Sequence, residues 1–329
     1  MIVVQSASRL HFGLLGFPSG SHWPNHRGEE SIPARRFGGA GLMVQSPGIE
    51  LGMRDAKNWL ASGPLADRAL EFAHRFADTS ETKGSPQEIT IRHCAPEHVG
   101  LGTGTQLGLA VARGLSLAWD HQLQPQELCH RVGRGARSAL GFYGFLHGGV
   151  LVEGGKNRDS VIAPLLVRES FPEEWRVVLV IPAEAAGLSG IKEAEAVEEL
   201  LAQGIPLKYT ESMCRLVLLG MLPAIKERDF KSFGESLGDL NYLAGQVFAR
   251  FQGGNYRPRI SEIIEFVKGQ DIAGVGQSSW GPTVFAMTED EPRATDLAEK
   301  IRENFKLKEQ EVLLTSACNH GASASVISE

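Results

Sequence analysis

One stretch limits what this chain can fold into. Residues 89–94, Ile89-Thr90-Ile91-Arg92-His93-Cys94, alternate apolar and polar side chains and read as a strand. Pro96-Glu97-His98-Val99-Gly100-Leu101-Gly102-Thr103-Gly104-Thr105-Gln106 follows as a glycine-rich loop. Leu107, Leu109, Ala110, Val111, Leu115 and Leu117 then fall on a helical apolar face. Glycines let backbone turn tightly and approach a ligand closely. A helix after such a loop presents free N–H groups and the positive end of its dipole. Strand, glycine loop and helix in series is a general device for holding phosphate. It is not the P-loop, because Gly-Lys-Ser/Thr is missing, and it is not GxGxxG. A plainer reading stays open: a glycine-rich turn with Thr103 or Thr105 as N-cap.

The 329 residues, 42% hydrophobic and 22% charged, supply a large core. A prior of about 150 residues per domain suggests two domains. The net charge of -6 offers no basic excess for nucleic acid or an anionic membrane. Cys94, Cys129, Cys214 and Cys318 are scattered without a CxxC pair, which argues against a zinc or disulfide framework and fits a reducing cytoplasm. The first residues lack a basic signal-peptide region, and no apolar run approaches the roughly 20 residues of a membrane span.

Residues 2–17 read as a strand and 18–38 as a long loop, a common form for a functional lid. Residues 42–44 and 49–53 read as a strand pair around Ser46-Pro47-Gly48. Helical spacing appears at 67–76 and 125–132, and 148–152 returns to strand. The second half reads as strands at 176–181, 272–275, 283–287 and 311–315. Its helices read at 191–202, 211–226, 230–251, 260–268 and 293–304, which makes an α+β pattern. The polar run at 156–160 is the expected boundary, dividing the chain into 1–158 and 159–329.

Pro96, Gly100, Leu101 and Gly102 match the Pro-x-x-x-Gly-Leu-Gly-Ser-Ser-Ala signature, and the chain resembles the GHMP kinases there. Gly104 stands at the second Ser, which in the kinases helps hold magnesium and nucleotide phosphates. Ser138-Ala139-Leu140-Gly141 precedes Gly148-Gly149 at the spacing where mevalonate-kinase-like members carry Ser-Gly-x-Asp. Their Asp is the catalytic base, and Gly141 cannot accept a proton. Both departures weaken the reading as an ATP-dependent kinase.

Further segments resemble one branch, the β-ribofuranosylaminobenzene 5'-phosphate synthases. These are Ser8-Arg9-Leu10-His11-Phe12-Gly13, His98 through Gln106, Arg137-Ser138, Glu153-Gly154-Gly155, Gln252-Gly253-Gly254 and Gln277-Ser278-Ser279-Trp280-Gly281-Pro282-Thr283. Ala7 for an expected Pro and Glu153 for an expected Asp depart from the pattern, and 18–38 has no counterpart in it. The resemblance covers most of the chain and implies a two-domain GHMP kinase-like α+β fold. It also implies a magnesium-assisted reaction in the cytoplasm. Phosphoribosyl pyrophosphate loses pyrophosphate, a ring carbon of 4-aminobenzoate or 4-hydroxybenzoate attacks, and carbon dioxide leaves. The product enters methanopterin synthesis. The partners implied are small molecules, not nucleic acid or membrane, and a homodimer is compatible.

Such chemistry needs cations for the departing pyrophosphate, a fixed benzoate and exclusion of water. Arg9 and His11 occupy alternate positions of a strand and so leave the same face; they are the expected catalytic pair. Gly100, Gly102, Thr103, Gly104, Thr105 and Gln106 are the expected phosphate-binding residues, and His98, Arg137, Ser278 and Ser279 the expected substrate contacts. Plainer roles compete: a surface Arg9, a packed His11, an anchoring His98, loop-capping serines. For Arg134 and Arg137, at i and i+3 of an expected helix, a solvated basic face is the commoner meaning. Trp280 suits packing better than stacking on a ligand. A GHMP-fold sensor that binds a sugar phosphate without turnover is a third reading beside synthase and kinase.

Overall fold

Alternating apolar residues in the first strand, with Val4, Leu10 and Phe12 fully buried, start the larger of two sheets. The computed structural model describes residues 1–16, 35–80, 84–157, 159–183, 190–203 and 205–327, so most of the expected 18–38 loop lies outside the described residues. The first half runs β1 (Ile2–Leu14), β2 (Gly39–Asp55), β3 (Leu60–Ser62), α1 (Ala66–Asp78), β4 (Gln87–His93), α2 (Thr103–Ala118), α3 (Pro125–Arg131), α4 (Leu140–His147), β5 (Val150–Glu153) and β6 (Leu165–Glu169). The second runs β7 (Arg176–Val180), α5 (Gly190–Gln203), α6 (Leu207–Leu216), a wide π-helical turn at Val217–Met221, α7 (Leu222–Glu227), α8 (Phe230–Gln252), α9 (Pro258–Lys268), β8 (Val275–Gln277), β9 (Val284–Thr288), α10 (Glu291–Phe305), β10 (Val312–Thr315) and β11 (Ser323–Val326).

The larger sheet has the order β11-β1-β2-β4-β3, with β5 beside β2 and β6 beside β5; the smaller is antiparallel, β10-β7-β9-β8. Helices α1 and α2 bury Phe72, Phe76, Leu107 and Val111 against Ile89 and Ile91 of β4. Helices α9 and α10 cover β7 to β9. A third cluster runs through both halves, joining Leu10, Phe12 and Leu42 to Leu237 of α8 and Phe285 of β9. Full burial of a side chain such as Phe12 contributes roughly 1.5–3 kcal/mol. Among the described residues no helix is long and apolar enough to cross a membrane.

Several expectations at the level of elements are corrected. The pair at 42–44 and 49–53 is one strand, β2. Its pairing with β1 jumps from Ser6↔Ile49 to Ser8↔Val44, so residues 45–48 bulge inside a continuous ladder. The helix expected over 211–226 is α6, the wide turn and α7, because Pro223 lacks the N–H that a regular helix would use there. Arg134 and Arg137 sit on no helix; they lie in the irregular segment between α3 and α4. The strand expected at 272–275 is Val275–Gln277.

Candidate active site

Backbone chemistry sets the glycine loop. The N–H of Arg9 on β1 donates to Leu101 O at 2.9 Å. Gly102 is the N-cap of α2 with φ 71°, a conformation that suits glycine, so neither Thr103 nor Thr105 caps the helix. Thr103 is buried and donates its hydroxyl to Pro96 O at 2.8 Å. The N–H groups of Thr105 and Gln106 close onto Gly102 O at 3.0 and 3.1 Å. The N–H groups of Thr103 and Gly104, in the first turn of α2, are the ones the helix offers a ligand.

The second half of the chain clamps this loop. Ser278 is fully buried; its Oγ donates to Gly100 O at 2.7 Å and accepts the N–H of His11 at 3.0 Å. Ser279 N–H donates to His11 O at 3.2 Å, and Thr283 N–H to Val99 O at 3.2 Å. Asn241 of α8 donates to Phe12 O and to Gln277 O, both at 2.9 Å. Contact with Gly281 is so close that a Cβ there would stand 2.1 Å from the Val99 carbonyl. Trp280 packs on Phe248 and Phe251, with ring centroids 4.2 and 6.1 Å away, which is the packing role expected of it.

These contacts frame a cleft of about 210 Å³ whose charged lining is Arg9, Arg68, Glu97 and Arg134. The Arg9 guanidinium lies on Gly102, its Nε 3.0 Å from where a Cβ would stand. Arg134 lies on Gly104 in the same way, at 3.1 Å through Nη2. Arg68 and Arg134 both sit over the Phe72 ring, 5.0 and 4.8 Å from its centroid. Glu97 lies 3.7 Å from Arg68 Nε. Burial first, and then the neighbouring Arg68 charge, pull the Arg134 pKa down. Arg68 and Glu97 were not legible as site residues; helix packing alone brings Arg68 there.

Arg9 and His11 line different spaces. His11 is buried and borders a smaller cavity of about 30 Å³ with Asn241, Gln252, Tyr256 and Gln277, while Ser279 and Trp280 border both spaces. Its imidazole fills room left by Gly39, whose Cβ would stand 3.2 Å from Nε2. Burial, then the charge of Arg9, hold its pKa well below the ordinary value, so the ring is neutral. His98 and Ser279 both adopt left-handed backbone, φ 61° and 55°, and both border the cleft. Non-glycine residues held there cluster at ligand sites. Arg137 is exposed and does not border the cleft.

The turn before α4 is held from below. Glu153, buried on β5, accepts from Ser138 Oγ at 2.5 Å and from Ala139 N–H at 2.6 Å. Burial pushes its pKa up to about 7 against the pull of those hydrogen bonds and of Arg9. Gln106, expected at the phosphate, donates instead to Gly141 O at 2.7 Å. A Cβ on Gly141 would stand 3.0 Å from Thr105 Cγ2, so no carboxylate fits there without displacement.

Two family models match this frame: GHMP kinases N terminal domain over residues 65–149 and GHMP kinases C terminal over 221–307. The beta-ribofuranosylphenol 5'-phosphate synthase of Archaeoglobus fulgidus is 31% identical across 99% of this chain and 100% of its own length. The chain belongs to that synthase family. A synthase of the same name from Methanothermobacter thermautotrophicus is 30% identical over 88% of this chain and 90% of its own. Solved structures share the fold. Homoserine kinase from Cytophaga hutchinsonii superposes with a TM-score of 0.67 at 15% identity, covering 99% of this chain and 97% of that one. Mevalonate pyrophosphate decarboxylase from Streptococcus pyogenes gives 0.65 at 12%, covering 97% of each. This member of the synthase family is thus an enzyme with the mixed α/β GHMP fold expected of it.

Proposed function

We propose that the enzyme transfers the phosphoribosyl group of phosphoribosyl pyrophosphate to 4-hydroxybenzoate, with loss of diphosphate and carbon dioxide, in methanopterin synthesis. The arginine-lined cleft at the glycine loop carries this reading, because it offers guanidinium groups and helix N–H groups to a ligand rich in phosphoryl oxygens. The relatives' name specifies a ribofuranosylphenol phosphate. A phenol remains when 4-hydroxybenzoate exchanges its carboxylate for the sugar; 4-aminobenzoate would leave an aminobenzene instead.

The bond from the anomeric carbon to the diphosphate oxygen breaks, and the oxygen keeps both electrons. The ring carbon bearing the carboxylate bonds to the anomeric carbon. The carbon–carboxylate bond then breaks, its electron pair restores the aromatic ring, and carbon dioxide leaves. No ring proton has to be removed. Arg9, on Gly102, stabilises charge growing on the departing diphosphate. Neutral His11, beside a cavity too small for a benzoate, positions the site through its backbone bonds to Ser278 and Ser279 and does not touch the phenol. That role suits its lowered pKa better than donation to the leaving group as an imidazolium. Ser279 and Trp280 border both the cleft and the His11 cavity and would shield the reacting carbon from water.

The donor set fits magnesium that arrives with the substrate. Among the described residues no three His, Cys, Asp or Glu side chains converge, and magnesium commonly needs only one or two carboxylates beside substrate phosphates. Glu97, in the cleft, would hold the ion, which when bound would neutralise diphosphate charge.

The test is to incubate the enzyme with magnesium, phosphoribosyl pyrophosphate and each benzoate in turn. Equal release of carbon dioxide and diphosphate, faster with 4-hydroxybenzoate, is expected. Formation of ADP from ATP with homoserine or mevalonate would replace this reading with a kinase. Sugar-phosphate binding without turnover of either benzoate would replace it with a sensor.

A further inference from the structure

Arg134 makes little use of its charge within the protein. Its Nε is buried without a hydrogen-bond partner, and among the described residues no carboxylate forms an ion pair with it. A desolvated donor without a partner is costly, and more so when charged. Its neighbours relieve it only in part. Phe72 supplies a ring face, Arg68 adds a like charge and is itself tied to Glu71 and Glu97, and Gly104 presents the positive end of α2. Arg68 and the end of α2 favour an anion beside the guanidinium, whereas Phe72 and Glu97 favour the cation itself.

The loop repeats one arrangement at two stations. At Gly102 a guanidinium, that of Arg9, lies 3.0 Å from the missing Cβ; at Gly104 a second, that of Arg134, lies 3.1 Å away, with the Glu97 carboxylate beside it at 3.3 Å. Both line one cleft, at the glycines that flank Thr103. Adjacent phosphoryl groups joined by one oxygen match two cations set at a helix N-terminus.

We propose that Arg9 and Arg134 form a two-station clamp for a diphosphate group, in which Arg134 holds the second phosphoryl group at Gly104. This assigns the leaving end of the donor to the glycine loop and rests on the reading of the cleft as a phosphoribosyl pyrophosphate site. The sugar and its own phosphate then extend away from Gly104, toward Ser279 and His98.

Calorimetric binding of inorganic diphosphate and of orthophosphate tests the clamp without turnover. Arg134→Met should weaken diphosphate at least about tenfold and orthophosphate by less than about threefold, since a hydrogen bond to a charged group lost from a closed site is a tenfold effect or more. Gly104→Ala, whose methyl displaces the guanidinium, should show the same preference. It decides the matter if Arg134→Met does not fold by circular dichroism. Wild-type diphosphate affinity in either folded variant overturns the clamp, and so does equal loss of both anions. Wild-type enzyme that binds diphosphate in this Arg134-dependent way but never releases it from phosphoribosyl pyrophosphate sinks the proposed reaction and leaves the clamp standing.

Discussion

Ser278 Oγ donates to Gly100 O at 2.7 Å, and by this bond the second half of the chain holds the turn of the glycine loop. The same hydroxyl accepts from His11 N–H. Ser278→Ala therefore strands two backbone groups at once. A loss of about 1–3 kcal/mol is expected in urea denaturation, the usual cost of an unsatisfied buried polar group. A change under about 0.5 kcal/mol, the size of an ordinary surface substitution, would show that water or a shifted backbone replaces the bond.

Arg9 is half-buried and contributes no apolar core, so Arg9→Ala should keep the thermal midpoint within a few degrees. Turnover should fall about a hundredfold or more, as when one charge-stabilising donor is removed from a closed site. Carbon dioxide release at the wild-type rate would move the reacting centre away from Gly102.

Glu153 predicts a pH dependence of stability. Its pKa is raised from 4.5 to about 7 in the folded protein, so between those values the folded chain holds a proton that the unfolded chain releases. The stability that goes with this proton is full below about 4.5 and is lost as pH rises through about 7. Glu153→Gln removes the effect. The variant should gain on the wild type by up to about 3 kcal/mol between about pH 5 and about pH 8, measured by denaturation at each pH. His11 titrates in the opposite sense but is common to both proteins and cancels. A gap that does not change with pH would mean that Glu153 titrates like a surface carboxylate.

Placing a carboxylate at the position of the kinase base should not create a kinase. Gly141→Asp pushes its Cβ to within 3.0 Å of Thr105 Cγ2 and disturbs the carbonyl that Gln106 holds. A destabilisation of about 1–3 kcal/mol is expected from the overpacking. A coupled assay should detect no ADP with mevalonate, homoserine or galactose. Substrate-dependent ADP in the variant would show that the rest of the kinase machinery is intact.

Local order carried much of this protein. The strand, glycine loop and helix around Gly100 to Gln106 follow from residues adjacent in sequence, and so does α8. β2 does not, because Ser46-Pro47-Gly48 has the composition of a turn and becomes a bulge only when β1 pairs on both sides of it. The site was half legible for the same reason. Arg9, His11 and the loop sit in contiguous motifs, whereas Arg68 is one of two arginines on an exposed-looking helix. Only the packing of α1 against α2 turns it onto Phe72 and toward Arg134. Gln106 shows the limit from the other side: it stands in the motif, yet its amide is consumed by Gly141 O.

The glycine loop is tied at three successive places: Val99 O to Thr283, Gly100 O to Ser278 and Leu101 O to Arg9. Its donors are therefore in position before any anion arrives, and binding need not order that stretch of backbone. Such a template selects by shape, accepting oxygens that match its spacing and rejecting those that do not. Adaptation to different ligands falls to the long arginine side chains around it, which can swing while the backbone beneath them stays fixed.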